Sequence, residues 1–599
     1  MSSRSLRDVA LPLVLALAVW SLGFWGFQDS CCAPGATLTV EEAAYRSLEL
    51  FAPGHDQSGL ANSLDPKLVA ARWLAPLLTL SVLLVLLAEG VRRVLGPYWQ
   101  GLSRRPRYCV VGEGAIADAL TGRLAEGGAR LTVLGSRQPN GAAPRHAFHL
   151  TADPDEATQH RAARLHRADR VFIARPNDLA TLETAQRVAR FLRKKAPTAA
   201  LEQTLRVVLR DPEIARLLPV AVAAGVPFGG FSTLSLYDEA ARELARRARW
   251  SEAALDKGQD RVHVVILGAG GQGMAVGWEA MLAGWRVGLK APRVTFLDRD
   301  AVGAEQELRL RAPFLFDEGA RSELPSLRFH QVTADAFDVN PHALEAFGIE
   351  PDSISGWVAA CGNDDLNLRF ALRLLRAMRC DGLPTASIHT RFWAGHRDAV
   401  PDLGFRNGAG EGPVSTFGAL QQALGGRFLT TSDPDEPHRQ LHEAHARARA
   451  EAVGGDDRMP ARPWDALSES MKAANRRLYR LAPAILADLG FPLGAAARVT
   501  PAHAARVVEA ERTIDWCKRP SDGLAQRVFD AARCEHSRWV TDRALDGWRQ
   551  APDGLRNDAL QFHDSMVPWN ELSLPSRRYD GVLVCAVAST VAKEGSVRR

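Results

Sequence analysis

The sequence predicts an α/β protein: two doubly wound α/β units in tandem, preceded by two transmembrane helices and followed by an α-helical module. Three observations predict it. Two long apolar segments fall within residues 1–100, two glycine-rich turns each stand between an apolar strand and a helix, and the last third carries small apolar and aromatic residues at helical spacing. At 599 residues the chain is too long for one core, and length alone suggests about three to five domains.

Hydrophobic residues make up 46% and charged residues 24%, which is the composition of an ordinary folded protein. The net charge of +5 is small for this length and argues against a nucleic-acid partner, which would need a concentrated basic face. The eight cysteines are Cys31, Cys32, Cys109, Cys361, Cys380, Cys517, Cys534 and Cys585. None forms a CxxC pair, and only Cys534 stands close to a histidine, His536, so no structural metal site is expected. Cys31 and Cys32 follow the first apolar segment, where a link between subunits and two free or modified thiols both remain open. The other six fall in regions placed in the cytoplasm, where thiols stay reduced.

The first apolar segment, Leu11 to Phe27, carries no charge; the second runs from Leu68 to Val91 with Arg72 and Glu89 near its ends. Roughly 20 apolar residues cross a bilayer core as a helix, so the second segment is easily long enough and the first marginally so. A cleaved signal peptide is the other reading of the first, but no small-residue cleavage site follows it, and its end, Trp20 to Phe27, is aromatic in the manner of a membrane interface. Arg4 and Arg7 precede the first helix, while Arg92, Arg93, Arg104, Arg105 and Arg107 follow the second. Between them lie Asp29, Glu41, Glu42, Glu49, Asp56 and Asp65 against only Arg46 and Lys67. Positive flanks stay inside, so both termini are expected in the cytoplasm and the loop 28–67 outside the plasma (bacterial inner) membrane. Within that loop YRSLELF has the pattern of a short amphipathic helix. No TVGYG-like run follows it, which disfavours a selective potassium pore and leaves open a plain anchor or a less selective pore made by oligomerisation.

The first α/β unit, residues 105–250, opens with Tyr108 to Val111 as a strand, a turn at Gly112-Glu113-Gly114, a helix from about Ile116 to Glu126 and a second strand at Leu131 to Leu134. In this Rossmann-like context Gly112 and Gly114 let backbone amides approach a pyrophosphate. Ala117 stands where the third glycine of the pattern falls, and the acid expected at the end of the second strand is replaced by Gly135-Ser136-Arg137. Loss of the ligand, or a phosphate held by Arg137, are the alternatives. The second unit, residues 260–405, carries the complete pattern: a strand at Val262 to Leu267, then Gly268, Gly270, Gly271 and Gly273 opening a helix, then a strand at Val294 to Leu297 ending in Asp298 and Arg299. An acid at that point accepts hydrogen bonds from ribose hydroxyls, so these residues are the candidate site for NAD or another adenine nucleotide. The alternative is that the glycines serve only close helix–sheet packing.

Both units continue alike, with ADRVFIARPNDLATLETAQRVARFL in the first and ISGWVAACGNDDLNLRFALRLL in the second. Each is a strand, an Asn-Asp turn and a helix, which points to duplication. The residues GEGAIA, RPND and LRVVLRDPE in the first unit, with GAGGQG, LDRDA and GNDDLN in the second, resemble the RCK/TrkA-N family of cytoplasmic regulators of potassium transporters and channels. The resemblance covers about half of the chain. It implies domains that bind mono- or dinucleotides, pair into dimers or tetramers, catalyse nothing and move a membrane part. It also implies Gly268, Gly270, Gly273 and Asp298 as ligand contacts.

The helical module, residues 410–599, contains Glu535-His536, Arg538-Trp539, Arg543, Gly547-Trp548 and then Val567-Pro568-Trp569-Asn570-Glu571-Leu572. These blocks resemble the RyR domain, a helical repeat named for ryanodine receptors. Upstream, HEAHARARAEAV from His442 and RPWDALSESMKAANRR from Arg462 read as a degenerate first copy, with Trp464-Asp465-Ala466-Leu467 paralleling Trp569 to Leu572 and YRLAPAILADLGF as a helix between copies. His536, Arg538, Trp539, Trp548 and Trp569 are a candidate ligand pocket in which a base stacks and an arginine meets a phosphate. The rival reading makes the tryptophans core.

Ser232, His389 and the scattered acids make no triad order or GxSxG elbow. His438, His442 and His445 share a helical face, but Arg439 stands where a metalloprotease has its general base, so a solvated or packing face is expected and no metal. The sequence therefore reads as a membrane-anchored ligand-sensing regulator of ion flux, potassium by the resemblance, with a nucleotide and the lipid bilayer as partners. A nucleotide-triggered effector that permeabilises membranes is the first alternative, and an NAD(P)-dependent reductase of unknown substrate is the second.

Overall fold

Alternating apolar runs and glycine turns produce two separate compact units, Met1–Arg104 and Arg105–Arg599, divided where the basic linker was expected. The computed structural model describes residues 3–30, 38–52, 65–99, 106–137, 147–195, 201–223, 231–317, 323–333, 339–393, 414–424, 427–431, 433, 435–453, 462–467, 469–491, 499–552, 554–558 and 560–597. The paired thiols of Cys31 and Cys32, the linker residues 100–105 and the loop 454–461 lie outside the described residues.

The N-terminal body contains α1 (Ser3–Ser30), α2 (Val40–Glu49) and α3 (Pro66–Trp99). Gly26 lets α1 and α3 touch: a Cβ there would fall 2.5 Å from the backbone nitrogen of Leu68. Val19, Phe27, Ala43, Leu50, Leu68, Ala71 and Ala75 form the small core. α2 is the amphipathic helix expected in the loop. Thr39 caps it, its hydroxyl accepting from the Glu42 amide at 3.2 Å, and Glu41 and Glu42 complement the helix dipole. The Trp20 indole donates to the Ala44 carbonyl at 3.3 Å. Lys67 joins Asp29 at 2.7 Å. Leu15, Leu17, Trp73, Leu77, Leu80, Leu83, Leu84 and Leu87 are exposed, so the outside of this unit is apolar. Among the described residues one stretch, Pro66–Leu84, is long and apolar enough to cross a membrane, and only 17% of it is buried. α1 is helical throughout the first apolar segment.

The larger body, Arg105–Arg599, holds two parallel sheets of six strands each, one in each α/β unit. The first comprises β1 (Arg107–Gly112), β2 (Arg130–Gly135), β3 (Ala147–Thr151), β4 (Arg170–Ala174), β5 (Leu205–Leu209) and β6 (Ser232–Ser235), in the order β3-β2-β1-β4-β5-β6. The second comprises β7 (His263–Leu267), β8 (Arg293–Asp298), β9 (Ser326–Gln331), β10 (Gly356–Ala359), β11 (Ser387–Arg391) and β12 (Val414–Phe417), in the order β9-β8-β7-β10-β11-β12. These are the same doubly wound Rossmann topology, with the strand order reversing beside β1 and again beside β7. The second sheet takes its sixth strand from Val414–Phe417, so this unit extends past the expected boundary at 405 into the segment assigned to the helical module.

The repeated Asn-Asp turn does the same work twice. Asn177 caps its helix through the Ala180 amide (2.8 Å), and Asn363 caps its own through the Asp365 amide (2.8 Å). Asp178 accepts from the amides of Arg210 and Asp211, both at 2.9 Å, and Asp364 accepts from the Trp393 amide at 3.0 Å. Each acid thus ties its helix to the end of the next strand. The helix Leu236–Ala248 packs on the helix Gly271–Ala283, and a single core runs through Phe172, Val208, Leu244, Ile266, Met281 and Trp548. The two sheets and part of the helical module therefore share one interior.

The module's long helices are Glu436–Val453, Glu469–Asp488, Pro501–Arg512, Gly523–Leu545 and Leu574–Val597. Two short turns, Trp464–Ala466 and Trp569–Glu571, each follow a proline (Pro463, Pro568) and precede a leucine (Leu467, Leu572). This is the expected internal parallel. The module is fastened just past the end of the Gly271–Ala283 helix. Trp285 donates to the Thr541 hydroxyl at 3.0 Å, and buried Arg286 pairs with Asp488 and Glu252, both at 2.8 Å.

Candidate functional site

The site best formed for a ligand lies at the β7–β10 switch point of the second sheet. Gly268, with φ +98°, ends β7, and a Cβ there would stand 2.9 Å from the Cys361 nitrogen beyond β10. Gly273 has no room for a side chain, because a Cβ would run into the Gly268 carbonyl oxygen. These glycines draw the helix N-terminus onto the strand end. Gly270 is its N-cap and offers no side-chain acceptor, so the first amides of the helix keep their donors for a guest. A Cβ on Gly270 would meet nothing within 4 Å, so there is space at the turn, and Gly270 and Gly271 are exposed.

Asp298 ends β8 half-buried beside this turn. Its Oδ2 accepts from the Ala269 amide at 2.6 Å and its Oδ1 from the Asp300 amide at 2.8 Å. Each oxygen keeps a further lone pair for a ribose hydroxyl. Arg299 is exposed next to it. Cys361 lies at the same switch point, and burial, with Asp298 nearby, pushes its thiol up to about 11. It is a neutral packing group at ordinary pH and not a nucleophile.

The matching place in the first sheet is built differently. Gly112 (φ +142°) and Gly114 (φ +93°) make the expected turn. Glu113, between them, bonds the Ser136 hydroxyl and stands 3.6 Å from the Arg175 guanidinium. Gly135 holds the place of Asp298, and a Cβ there would run into the Gly112 carbonyl oxygen, so an acid has no room at the end of β2. The acid of this crevice comes from the turn itself and is spent on the protein's own groups. Arg137 is exposed beyond it.

The five aromatic, histidine and arginine residues proposed from sequence as a pocket of the module are brought together, but as interior. Trp569, His536, Trp548 and Arg538 are 2%, 2%, 4% and 4% exposed, and Trp539 is partly buried. His536 is flanked by Trp539 (6.0 Å between ring centres) and Trp569 (5.8 Å). Arg538 is occupied by Glu535 on its own helix, at 2.6 Å. Four of the five are buried and Arg538 is already paired, which favours core over pocket. His536 presents both ring nitrogens to acceptors, the Asp580 carboxylate at 3.1 Å and the Val567 carbonyl at 2.9 Å. Burial pushes its pKa down, but the Asp580 hydrogen bond and charge outweigh this and the net direction is up.

His438, His442 and His445 do share the helix Glu436–Val453, yet they turn to different partners. His438 meets Asp435 at 3.3 Å, and His442 meets the Arg462 carbonyl at 2.8 Å. His389 lies between the hydroxyls of Ser415 (2.6 Å) and Ser387 (3.1 Å), where burial pushes its pKa down to about 3. It is a neutral core residue, and Ser232 belongs to the other sheet.

Sequence reasoning missed four residues at the mouth of the second crevice: Arg210, Tyr237, Arg391 and Trp393. A Cβ on Gly271 would touch the Tyr237 ring at 3.2 Å. Tyr237 meets Trp393 edge-on at 5.5 Å, and the Arg391 guanidinium lies 5.0 Å from the Trp393 ring centre. Position after the fifth strand was the available signal for Arg391 and Trp393, because ligands bind outside the carboxyl ends of such strands. No such signal marks Tyr237, which comes from the first unit.

The fold and the glycine turns define a tandem Rossmann-like α/β protein. No protein-family pattern matches the sequence, and no curated protein does. Among solved structures the chain is similar to one described as the GsuK channel, at 16% identity over 70% of this chain and 95% of that one, with a TM-score of 0.33. It is also similar to the GsuK RCK domain, at 12% identity over 54% and 75%, with a TM-score of 0.32. A third likeness is to the A chain of dipicolinate synthase from Bacillus subtilis, at 11% identity over 53% and 89%, with a TM-score of 0.18. At these scores the functional reading rests on the strand order and the residues of this chain.

Proposed function

We propose that the chain is a membrane-anchored regulator that binds one adenine nucleotide at the second crevice and couples its arrival to ion flux or transport. One observation carries the reading: at the second switch point the strand-end Asp298 carboxylate stands beside an open turn and an uncapped helix N-terminus, whereas at the first the strand ends in Gly135 and the acid, Glu113, is bonded to Ser136 and paired with Arg175. Amides and helix dipole favour a phosphate, and Asp298 favours a ribose. No catalytic role is part of this reading: Cys361 and His389 are neutral packing groups. The membrane role is supported by Pro66–Leu84 and by the apolar exterior of α1 and α3; in this reading the two helices cross the bilayer as a hairpin with both ends in the cytoplasm. Potassium is the cation implied by the RCK/TrkA-N resemblance, and the pairing of chains into a homo-oligomer has the same source.

Regulation requires that the nucleotide bind two states with different affinity. The test is ion flux through liposomes holding the purified chain, with and without ADP. Nucleotide-dependent flux of small cations supports the proposal. Release of large dyes on ligand addition supports the permeabilising effector instead, and turnover of a nicotinamide would mark a reductase.

A further inference from the structure

The geometry points to a mononucleotide, not a dinucleotide, as the guest of the second crevice, with Tyr237 as the residue that sets this limit. The inference rests on the nucleotide reading above and narrows it. In this topology a dinucleotide lies across the switch point, its pyrophosphate on the helix N-terminus, its adenosine half toward the second strand and its other nucleoside over the ends of the fourth and fifth strands. Here the second strand is β8 and the fourth and fifth are β10 and β11.

The two halves of this crevice differ. On the β8 side Gly270 borders open space and Asp298 stands ready beside it. On the β10–β11 side the place of a second nucleoside is taken by side chains. The Tyr237 ring lies in contact range of Gly271, 3.2 Å from where a Cβ would be, and Trp393 packs edge-on against it at 5.5 Å. The backbone behind each ring is fastened. The Tyr237 carbonyl accepts from the Gln272 side chain at 3.1 Å, and the Trp393 amide donates to Asp364 at 3.0 Å. A nicotinamide riboside would have to displace both rings.

What this side offers instead is positive charge. The Arg391 guanidinium lies 5.9 Å from the Tyr237 ring centre and 5.0 Å from that of Trp393, and Arg210 lies 5.8 Å from Trp393. Arg391 is 5% exposed; its Nη1 donates to the Cys361 carbonyl at 2.8 Å, while its buried Nε has no acceptor among the described residues. A buried guanidinium with a donor in hand suits a terminal phosphate. The guest that fits both halves is a nucleoside diphosphate: ribose on Asp298, first phosphate on the helix amides, second phosphate toward Arg391. Because Tyr237 and Arg210 belong to the first unit, that unit contributes to the site.

The experiment is titration calorimetry of the full chain in detergent micelles with ADP and with NAD as probes. ADP is expected to bind at least about tenfold more tightly than NAD, since a built-in clash rejects the larger ligand. Tyr237→Ala is expected to improve NAD about fivefold and to leave ADP within about twofold. Tyr237→Phe keeps the ring and keeps the wild-type preference. If Tyr237→Ala does not fold, Trp393→Ala opens the same side. NAD binding as tightly as ADP in the wild type overturns the inference and leaves the nucleotide reading standing. A folded Tyr237→Ala protein with no gain for NAD also overturns it. Failure of both probes to bind rejects the nucleotide reading, and the inference falls with it.

Discussion

The two crevices share a strand order, a turn and an Asn-Asp support, yet they place their acid differently. In the second unit the acid stands on the strand, as Asp298, and the turn residue facing it is Ala269. In the first unit the acid stands on the turn, as Glu113, and the strand position is Gly135, which has no room for a side chain. Moving one carboxylate from strand to turn changes what the crevice can offer a ligand. The comparison shows that a shared fold fixes where a ligand would go, while a few side chains decide whether it does.

The largest effect expected from breaking this comparison is at the third position of each glycine pattern. Gly273→Val drives a side chain into backbone that cannot move cheaply, and it should cost about 3 kcal/mol or more with loss of nucleotide binding. Ala117→Gly, the counterpart in the first unit, should cost no more than about 1 kcal/mol, the ordinary price of glycine in a helix. Chemical unfolding of both variants checks the contrast. Next in size is Asp298→Ala, which should weaken ADP about tenfold, the order of one or two hydrogen bonds to a charged group. Glu113→Gln should leave ADP affinity unchanged and cost under about 1 kcal/mol, because its partner Arg175 is partly solvated. A gain of a second ADP site in Glu113→Gln would show that the first crevice is merely latched.

The smallest effect is one of pH and belongs to the helical module. His536 is held by Asp580 with its folded pKa above the ordinary 6.5. Its contribution is therefore complete below pH 6.5 and is lost as pH rises through the folded value. Thermal unfolding followed across pH 6 to about 9 should show a decline that His536→Gln removes.

Much of this was legible in the sequence. The strands Tyr108–Val111 and Val294–Leu297 stand out because buried parallel strands are unbroken apolar runs, and the glycines at 268, 270 and 273 mark the turn because backbone must approach backbone there. The strand Val414–Phe417 was hidden: four residues are too short to show a period. Glu113 was overlooked because the middle residue of a Gly-x-Gly turn carries no conformational requirement. Trp548 and Trp569 read equally well as pocket or core, since a sequence shows large rings but not what covers them. Tyr237 lies at the start of a helix in the first unit, and only the packing of Leu236–Ala248 against Gly271–Ala283 brings it to the second crevice.

The most direct test of the central claim is the number and strength of ADP sites on the full chain, measured by calorimetry on wild type and Asp298→Ala. One site per chain, weakened about tenfold by the substitution, is the predicted result. Two sites per chain, or a dissociation constant that Asp298→Ala leaves unchanged, would contradict it.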